Sequence, residues 1–401
     1  MARRDRWLGT LILAGSLAGC VTDHDALQKK PDLASSAGAG GAPAGAGAPT
    51  IIGGGSDGEA ANGGGHADDE PPGTSVLTIV NGVVDAPSVV LCLAKLDANG
   101  GTTPFGQPLT KTPFEYGQNL VLSDVPGAKL DTDTLEPLLI AGELELVSGL
   151  NCEDAVARAQ DEETSAIDAN TRASEAAQAS AGGEGGATDA LGAGGEGGVP
   201  AYEVRSRLRL GNLPAIPAGT LDAGRSILFV ATGCIGGFTY DAAKSDEYCG
   251  VGYSEQHATL SAVLVSLSRR VQFGETGLQF VHASFATPPA DVSSHPPFPS
   301  TDPGLQIATN VIEGQVSPHS ALLTHSALEY GSARSYTVQI SAQGTPVTGE
   351  DWLDVLARGG VKALEDSSTY ALVLVGPRVD HALATPLWNP SALTVVPVDP
   401  L

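Results

Sequence analysis

Apolar residues in this chain fall into short runs of strand length, punctuated by Gly, Pro, Asn and Asp. Runs rich in branched and aromatic side chains predict strands at 76–81, 88–94, 119–122, 143–147, 203–210, 227–232 and 258–267. A second series follows at 277–283, 308–313, 335–341, 370–376 and 393–398. One late helix is predicted: residues 348–351 have capping-box spacing, Trp352, Leu353, Val355 and Leu356 supply an apolar side, and Gly359 can end it. Residues 155–198 read differently. They begin Ala-rich and acidic, with Glu153 and Asp154 well placed for a helix N-terminus. The apolar stripe is thin, so the expected helix is solvated and marginal. It gives way to Gly-Gly-Glu-Gly-Gly at 182–186 and again at 194–198, a flexible insertion without the preceding strand or Lys-Ser/Thr of a phosphate loop.

Three features recur in order. A strand and turn at Val80-Asn81-Gly82-Val83-Val84-Asp85-Ala86-Pro87 returns as Val281-His282-Ala283-Ser284-Phe285-Ala286-Thr287-Pro288. An aromatic corner, Phe114-Glu115-Tyr116-Gly117, returns as Leu328-Glu329-Tyr330-Gly331. A strand ending in Gly233 returns as one ending in Gly376. The fold class is therefore mainly β, with two tandem antiparallel β-sandwich, immunoglobulin-like domains at 75–270 and 277–401, the first carrying the 155–198 insertion. The first copy resembles the domain of unknown function 4397 family at Val80, Asp85, Ala86, Pro87 and Val89, and the second at Val281, His282, Ala283, Ser284 and Pro288. The first copy lacks that family's His-Ala-Ser and the second lacks its Asp-Ala. The resemblance implies an extracytoplasmic β-sandwich, often in tandem and often anchored. It implies no reaction and no ligand.

The 401 residues include 51 Gly and 27 Pro, an excess that excludes one compact domain from end to end. Much of it lies in 20–74, a Gly/Ala/Pro-rich segment expected to be a disordered tether. Ahead of it, Arg3, Arg4 and Arg6 precede a short apolar run that ends in Leu17-Ala18-Gly19-Cys20. That ending resembles a bacterial lipobox, with 1–19 as the signal peptide and Cys20 as the lipidation site. Two or three acyl chains would anchor the chain stably to a membrane. Val21 after the cysteine favours the outer membrane. The net charge of −25 excludes nucleic acid and anionic membrane surfaces as electrostatic partners.

With Cys20 lipidated, Cys92, Cys152, Cys234 and Cys249 remain, an even number that predicts two disulfides in an exported chain. Cys234–Cys249 with Cys92–Cys152 is the favoured pairing, because the first closes a local loop whose Gly236, Gly237 and Gly250 can bend sharply. A four-thiolate zinc site is the alternative, but no C-x-x-C occurs. Candidate chemistry is sparse. His282 and Asn81 occupy equivalent turns and are accounted for by hydrogen bonding. His319 and His325 are too far apart for a paired zinc motif, and His295 lies in a Pro-rich loop. Asp131-Thr132-Asp133 begins like a calcium loop, but Glu136 stands where the glycine should be. Gly252-Tyr253-Ser254 lacks the second glycine of a nucleophile elbow. No catalytic residue, metal site or cofactor is assigned. The expected function is a lipid-anchored envelope protein displaying two sandwich modules to an unknown protein or glycan partner. A glycan-binding module using Phe238, Tyr240, Tyr248 and Tyr253 is the alternative, and an unrecognised hydrolase the third.

Overall fold

The structure, a computed structural model, describes residues 75–401 apart from 130, 182–203, 222–223, 237–247, 251, 255–256, 270, 272, 286, 297–303, 319–322, 326–335, 378–390 and 399–401. Cys20, the tether, both Gly-Gly-Glu-Gly-Gly runs, Phe238, Tyr240, His319 and the 328–331 corner lie outside the described residues.

The first half contains β1 (Val76–Asn81), β2 (Ser88–Leu96), β3 (Thr102–Phe105), β4 (Phe114–Glu115), β5 (Asn119–Leu122), β6 (Leu135–Gly142), helix α1 (Cys152–Ala181), β7 (Leu208–Asn212), β8 (Ser226–Thr232) and β9 (Ser261–Leu267). One sheet runs β5-β1-β8-β9; the other runs β3-β2-β6-β7, with β4 also on β2. The second half contains β10 (Thr276–His282), β11 (Ala290–His295), β12 (Leu305–Val311), β13 (Val316–Ser317), β14 (Leu323–His325), β15 (Thr337–Ala342), β16 (Thr345–Asp351), helix α2 (Trp352–Arg358), β17 (Thr369–Val375) and β18 (Ala392–Pro397). Its sheets run β13-β10-β17-β18, with β14 also on β10, and β12-β11-β15-β16. The two orders correspond except at the fourth strand, which joins β2 in the first half and β10 in the second.

In each half the first strand pairs in parallel with the eighth: Val76 opposite Ser226 through Asn81 opposite Ala231, and Gly277 opposite Thr369 through His282 opposite Leu374. This corrects the all-antiparallel expectation. The reason is burial. Strands β1, β8, β10 and β17 are buried at every position, as parallel strands covered on both faces are. Ile227, Phe229 and Ala231 of β8 face Leu77, Ile79, Leu91 and Leu139 inside the first sandwich. Leu228 and Val230 face the other way, onto Val281, Ala371, Val373, Val375 and Val396 of the second half. The second sandwich closes around Leu278, Phe280, Val338, Ile340, Trp352 and Leu372. The four sheets are thus stacked with an apolar core in each gap, and the halves share the middle one. Polar bonds also cross between the halves: the half-buried Asn119 Nδ2 donates to Gly359 O at 2.6 Å, and the buried Ser226 Oγ to Val398 O at 2.6 Å.

The first half of helix α1 is packed rather than solvated, while residues 167–176 are mostly exposed. Cys152, Ala155, Val156, Ala159 and Ala166 are buried, and the first four lie against Ala94, Leu138, Ile140 and Leu208 on the outer face of β2-β6-β7. Small side chains at helical spacing let the backbone approach a sheet closely, so a thin stripe suffices. Asn151 Oδ1 accepts from Asp154 N at 2.8 Å and its amide donates back to the Asp154 carboxylate at 2.9 Å, capping the start.

Two further expectations are corrected. Residues 143–147 form a 3₁₀ turn, Leu144–Val147, not a strand. Gly142, at φ 112°, ends β6, and only Leu144 and Val147, three apart, are buried. The strand just before it, β6, was hidden by Pro137. Its carbonyl accepts from Leu213 N beyond the end of β7, so the missing N–H falls where the ladder has stopped. In α2 the cap residue is Asp351, Thr348 belongs to β16, and Leu353 is half exposed while Trp352, Val355 and Leu356 are buried.

Truncating Leu228 in the shared gap to Ala removes packing from both halves. The expected loss is about 3 kcal/mol, read as a lower Tm in one cooperative transition. Two separate transitions, only one of them shifted, would contradict a shared core.

Candidate functional site

Both parallel pairs end at turns built from the same hydrogen bonds. Gly82 N and Val84 N donate to Ala231 O and Gly233 O; Ala283 N and Phe285 N donate to Leu374 O and Gly376 O. Asn81 exchanges backbone bonds with Gly117 and Gln118, and His282 does so with Gly314 and Gln315. By these bonds Gly314, at φ 81°, takes the place in the second half that Gly117 has in the first. Asn81 and His282 are equivalent, as the sequence repeat implies.

From this shared frame the halves diverge. In the first, Asp85 is 2% exposed and its carboxylate accepts from Ile235 N, Gly236 N and Tyr253 Oη, each at 2.8 Å. Burial pushes the Asp85 carboxyl above its usual range, and these donors pull it part of the way back. Beside it Cys234 is bonded to Cys249, and Cys92 to Cys152 at the start of α1. Both are the pairings favoured by the sequence. Val84, Tyr248 and Tyr253 close over the Cys234–Cys249 bridge. Asp85 and the two sulfurs lie within metal-ligand reach of one another. Both sulfurs are spent in the disulfide, so the group offers one carboxylate and no thiolate. Tyr248 and Tyr253 are each 4% exposed, so neither presents a face on which a sugar could stack. Their packing on the disulfide corrects the glycan-stacking role for these two.

In the second half the same turn is held by hydroxyls. Ser284 Oγ lies 2.6 Å from Thr287 Oγ1 and donates toward Gly376 O and Pro377 O. His282 is fully buried; Nε2 is 3.3 Å from Pro288 O, and Nδ1 has no hydrogen-bond partner among the described residues. Desolvation lowers its pKa. Phe285 reaches across to the first half, against Gly250, where a Cβ would sit 2.5 Å from the ring. Gly250 has φ 83°, so only glycine suits both the backbone and this contact.

The other candidates do not converge. Asp133 accepts from Lys129 N and pairs with Lys95 at 2.9 Å, which hold its pKa down. Glu136 lies on β6, beside Asn212, and is pushed up by burial. Ser293 Oγ bonds His295 Nε2 at 2.8 Å, and Ser254 Oγ bonds His257 Nδ1 at 2.9 Å within an exposed turn. The side chain of His325 is outside the described residues.

No protein-family model matches the chain, and no curated protein matches it. Among solved structures, a protein titled as a cell adhesion protein from Parabacteroides distasonis is 11% identical, covering 82% of this chain and 98% of its own, with a TM-score of 0.17. A carbohydrate-binding module of Eubacterium rectale Amy13K, solved with maltoheptaose, is 10% identical over 78% of this chain and 100% of its own, with a TM-score of 0.15. A second protein titled as a cell adhesion protein, from Bacteroides eggerthii, is 10% identical over 82% and 98%, with a TM-score of 0.14. TM-scores this low carry no argument about function.

Asp85→Ala leaves three buried donors without an acceptor and is expected to cost about 3 kcal/mol, against about 1 for Tyr253→Phe. Chemical denaturation of both variants and of the double variant measures their coupling; strict additivity would deny the contact. His282 titrates near pH 6.5 when unfolded and lower when folded. The unfolded state therefore takes up protons first, and stability falls as pH drops below about 6.5. His282→Asn, the residue found at position 81, is expected to flatten the Tm-against-pH curve there; an unchanged slope would assign it to other groups.

Proposed function

We propose that this chain is a lipid-anchored cell-envelope protein whose two fused sandwiches act as a non-enzymatic interaction module. The observation that carries the reading is the pair of disulfides, which fits folding in an oxidising compartment. They join different layers, one pinning a helix to a sheet and the other pinning the loop over Asp85. The lipobox-like Leu17–Cys20 supplies the anchor, the Gly/Ala-rich 20–74 segment the spacer, and the resemblance at Val80–Pro87 and Val281–Pro288 an extracytoplasmic sandwich. The polar groups at the turn end of the stack support a binding role over a catalytic one. Asp85 and Ser284 are consumed in holding loops, and no helix among the described residues is long and apolar enough to cross a membrane. Binding would then fall to the exposed faces and loops of a rigid body.

Mass spectrometry of the N-terminal peptide is expected to find a diacylglyceryl group on Cys20, and Cys20→Ser to move the protein from the membrane to the soluble fraction. An unmodified Cys20 in membrane-associated protein would sink the anchor. External protease on intact cells then distinguishes display outside the cell, with release of peptides from 75–401, from a periplasmic position, with protection until the envelope is opened.

A further inference from the structure

Between α1 and the open face of the β3-β2-β6-β7 sheet runs a groove of about 260 Å³. Its floor is apolar: Pro104, Leu138 and Leu210 from the sheet and Val156 from the helix. Its rim is polar: Glu153 and Gln160 on the helix, and Asn212 at the end of β7. Register adds one more group. Glu136 is two residues from Leu138 on β6 and so shares its face. It is half-buried beside the Asn212 amide, which bonds its carboxylate.

The charges around this groove are unevenly matched. Arg158 pairs with Glu162 at 2.7 Å, Arg207 with Glu143, Arg209 with Glu163 at 3.5 Å, and Lys95 with Asp133 at 2.9 Å. Each of these four cations thus has its own carboxylate. Among the described residues Glu136 and Glu153 have no cationic partner; Glu153 lines the groove itself, and Glu136 adjoins it through its bond to the rim residue Asn212. Glu153 stands in the first turn of α1, on the exposed side of the helix. A half-buried carboxylate without a counter-charge is costly and gains most from a cation that brings its own apolar stem.

We propose that this groove binds a short free aliphatic amine, its ammonium group between Glu136 and Glu153 and its methylenes on Pro104, Leu138 and Leu210. The volume is below that of pockets for drug-sized ligands, which argues for a small amine rather than a folded partner. The site is independent of the anchor, and its failure would leave the envelope reading standing.

Calorimetric titration of the folded 401-residue chain with putrescine, in about 0.15 M salt, tests this. Saturable binding is expected, with butanediol, the neutral analogue of the same length, failing to bind. Glu136→Gln is expected to weaken binding about tenfold or more. Ala157→Trp, on the exposed side of the groove wall, is expected to abolish it while both carboxylates remain; circular dichroism confirms that each variant is folded. The proposal is overturned by no saturation below roughly 10 mM, by equal binding of butanediol, or by full affinity in folded Ala157→Trp. Tighter binding of an acetyl-lysine amide than of putrescine also overturns it, by transferring the site to a peptide side chain.

Discussion

The burial of β1, β8, β10 and β17 on both faces is the constraint from which the rest follows. A strand exposed on one side can alternate polar and apolar residues; on these four a polar side chain is buried, as Gln279 is, where its amide bonds Ser268. Each must send one set of side chains into its own sandwich and the other into the gap between sandwiches. Leu228 and Val230 meet Val281, Val373 and Val375 there, and the predominance of valine gives a flat, stiff surface in which few rotamers are lost. Once that gap is closed, neither half retains an independent outer face on this side. Asn119 and Ser226 then find acceptors in the other half because the sheets are already in register.

The two halves show what duplication preserves and what it releases. Backbone bonds at the end of the parallel pairs are kept one for one, from Gly82 and Ala283 to Gly233 and Gly376. Side chains are not. The first half secures its turn with a buried carboxylate and a disulfide, the second with two hydroxyls and a buried histidine. The frame demands only that backbone donors and acceptors be satisfied, and several chemistries can meet that demand.

Much of this was legible in the residues. β1 and β5 run over the residues that the apolar pattern marks, and the glycines around Cys234 and Cys249 mark a loop that a disulfide could close. The parallel pairing was not, because a continuous apolar run looks the same whichever way its neighbour points. Pro137 and Pro346 masked β6 and β16, since whether a missing N–H matters depends on where the neighbouring strand stops. The role of Asp85 was visible only in part. Its place in a turn is a local signal, but its donors at Ile235 and Gly236 lie 150 and 151 residues away. Tyr248 and Tyr253 illustrate the converse: aromatics near a pinned loop carry the same signature whether they stack on a ligand or seal a disulfide. The groove beside α1 had no signature, since its floor and rim come from β3, β6, β7 and a helix expected to be solvated.

One contrast between the halves bears on how such a chain can grow. The hairpin β15–β16 is closed by Gln343 and Gly344, both at positive φ, as a tight two-residue turn requires. Its counterpart β6–β7 pairs Gly142 with Leu208, and everything between them, α1 included, is an excursion from the same hairpin. Lengthening a loop by on the order of five doublings raises its closure entropy by only about 3 kcal/mol. The Cys92–Cys152 bridge, which shortens the free part of that excursion, recovers an amount of similar size. The hairpin tip is therefore a place where new sequence can be grafted at little thermodynamic cost. Here the excursion carries the helix that forms one wall of the groove.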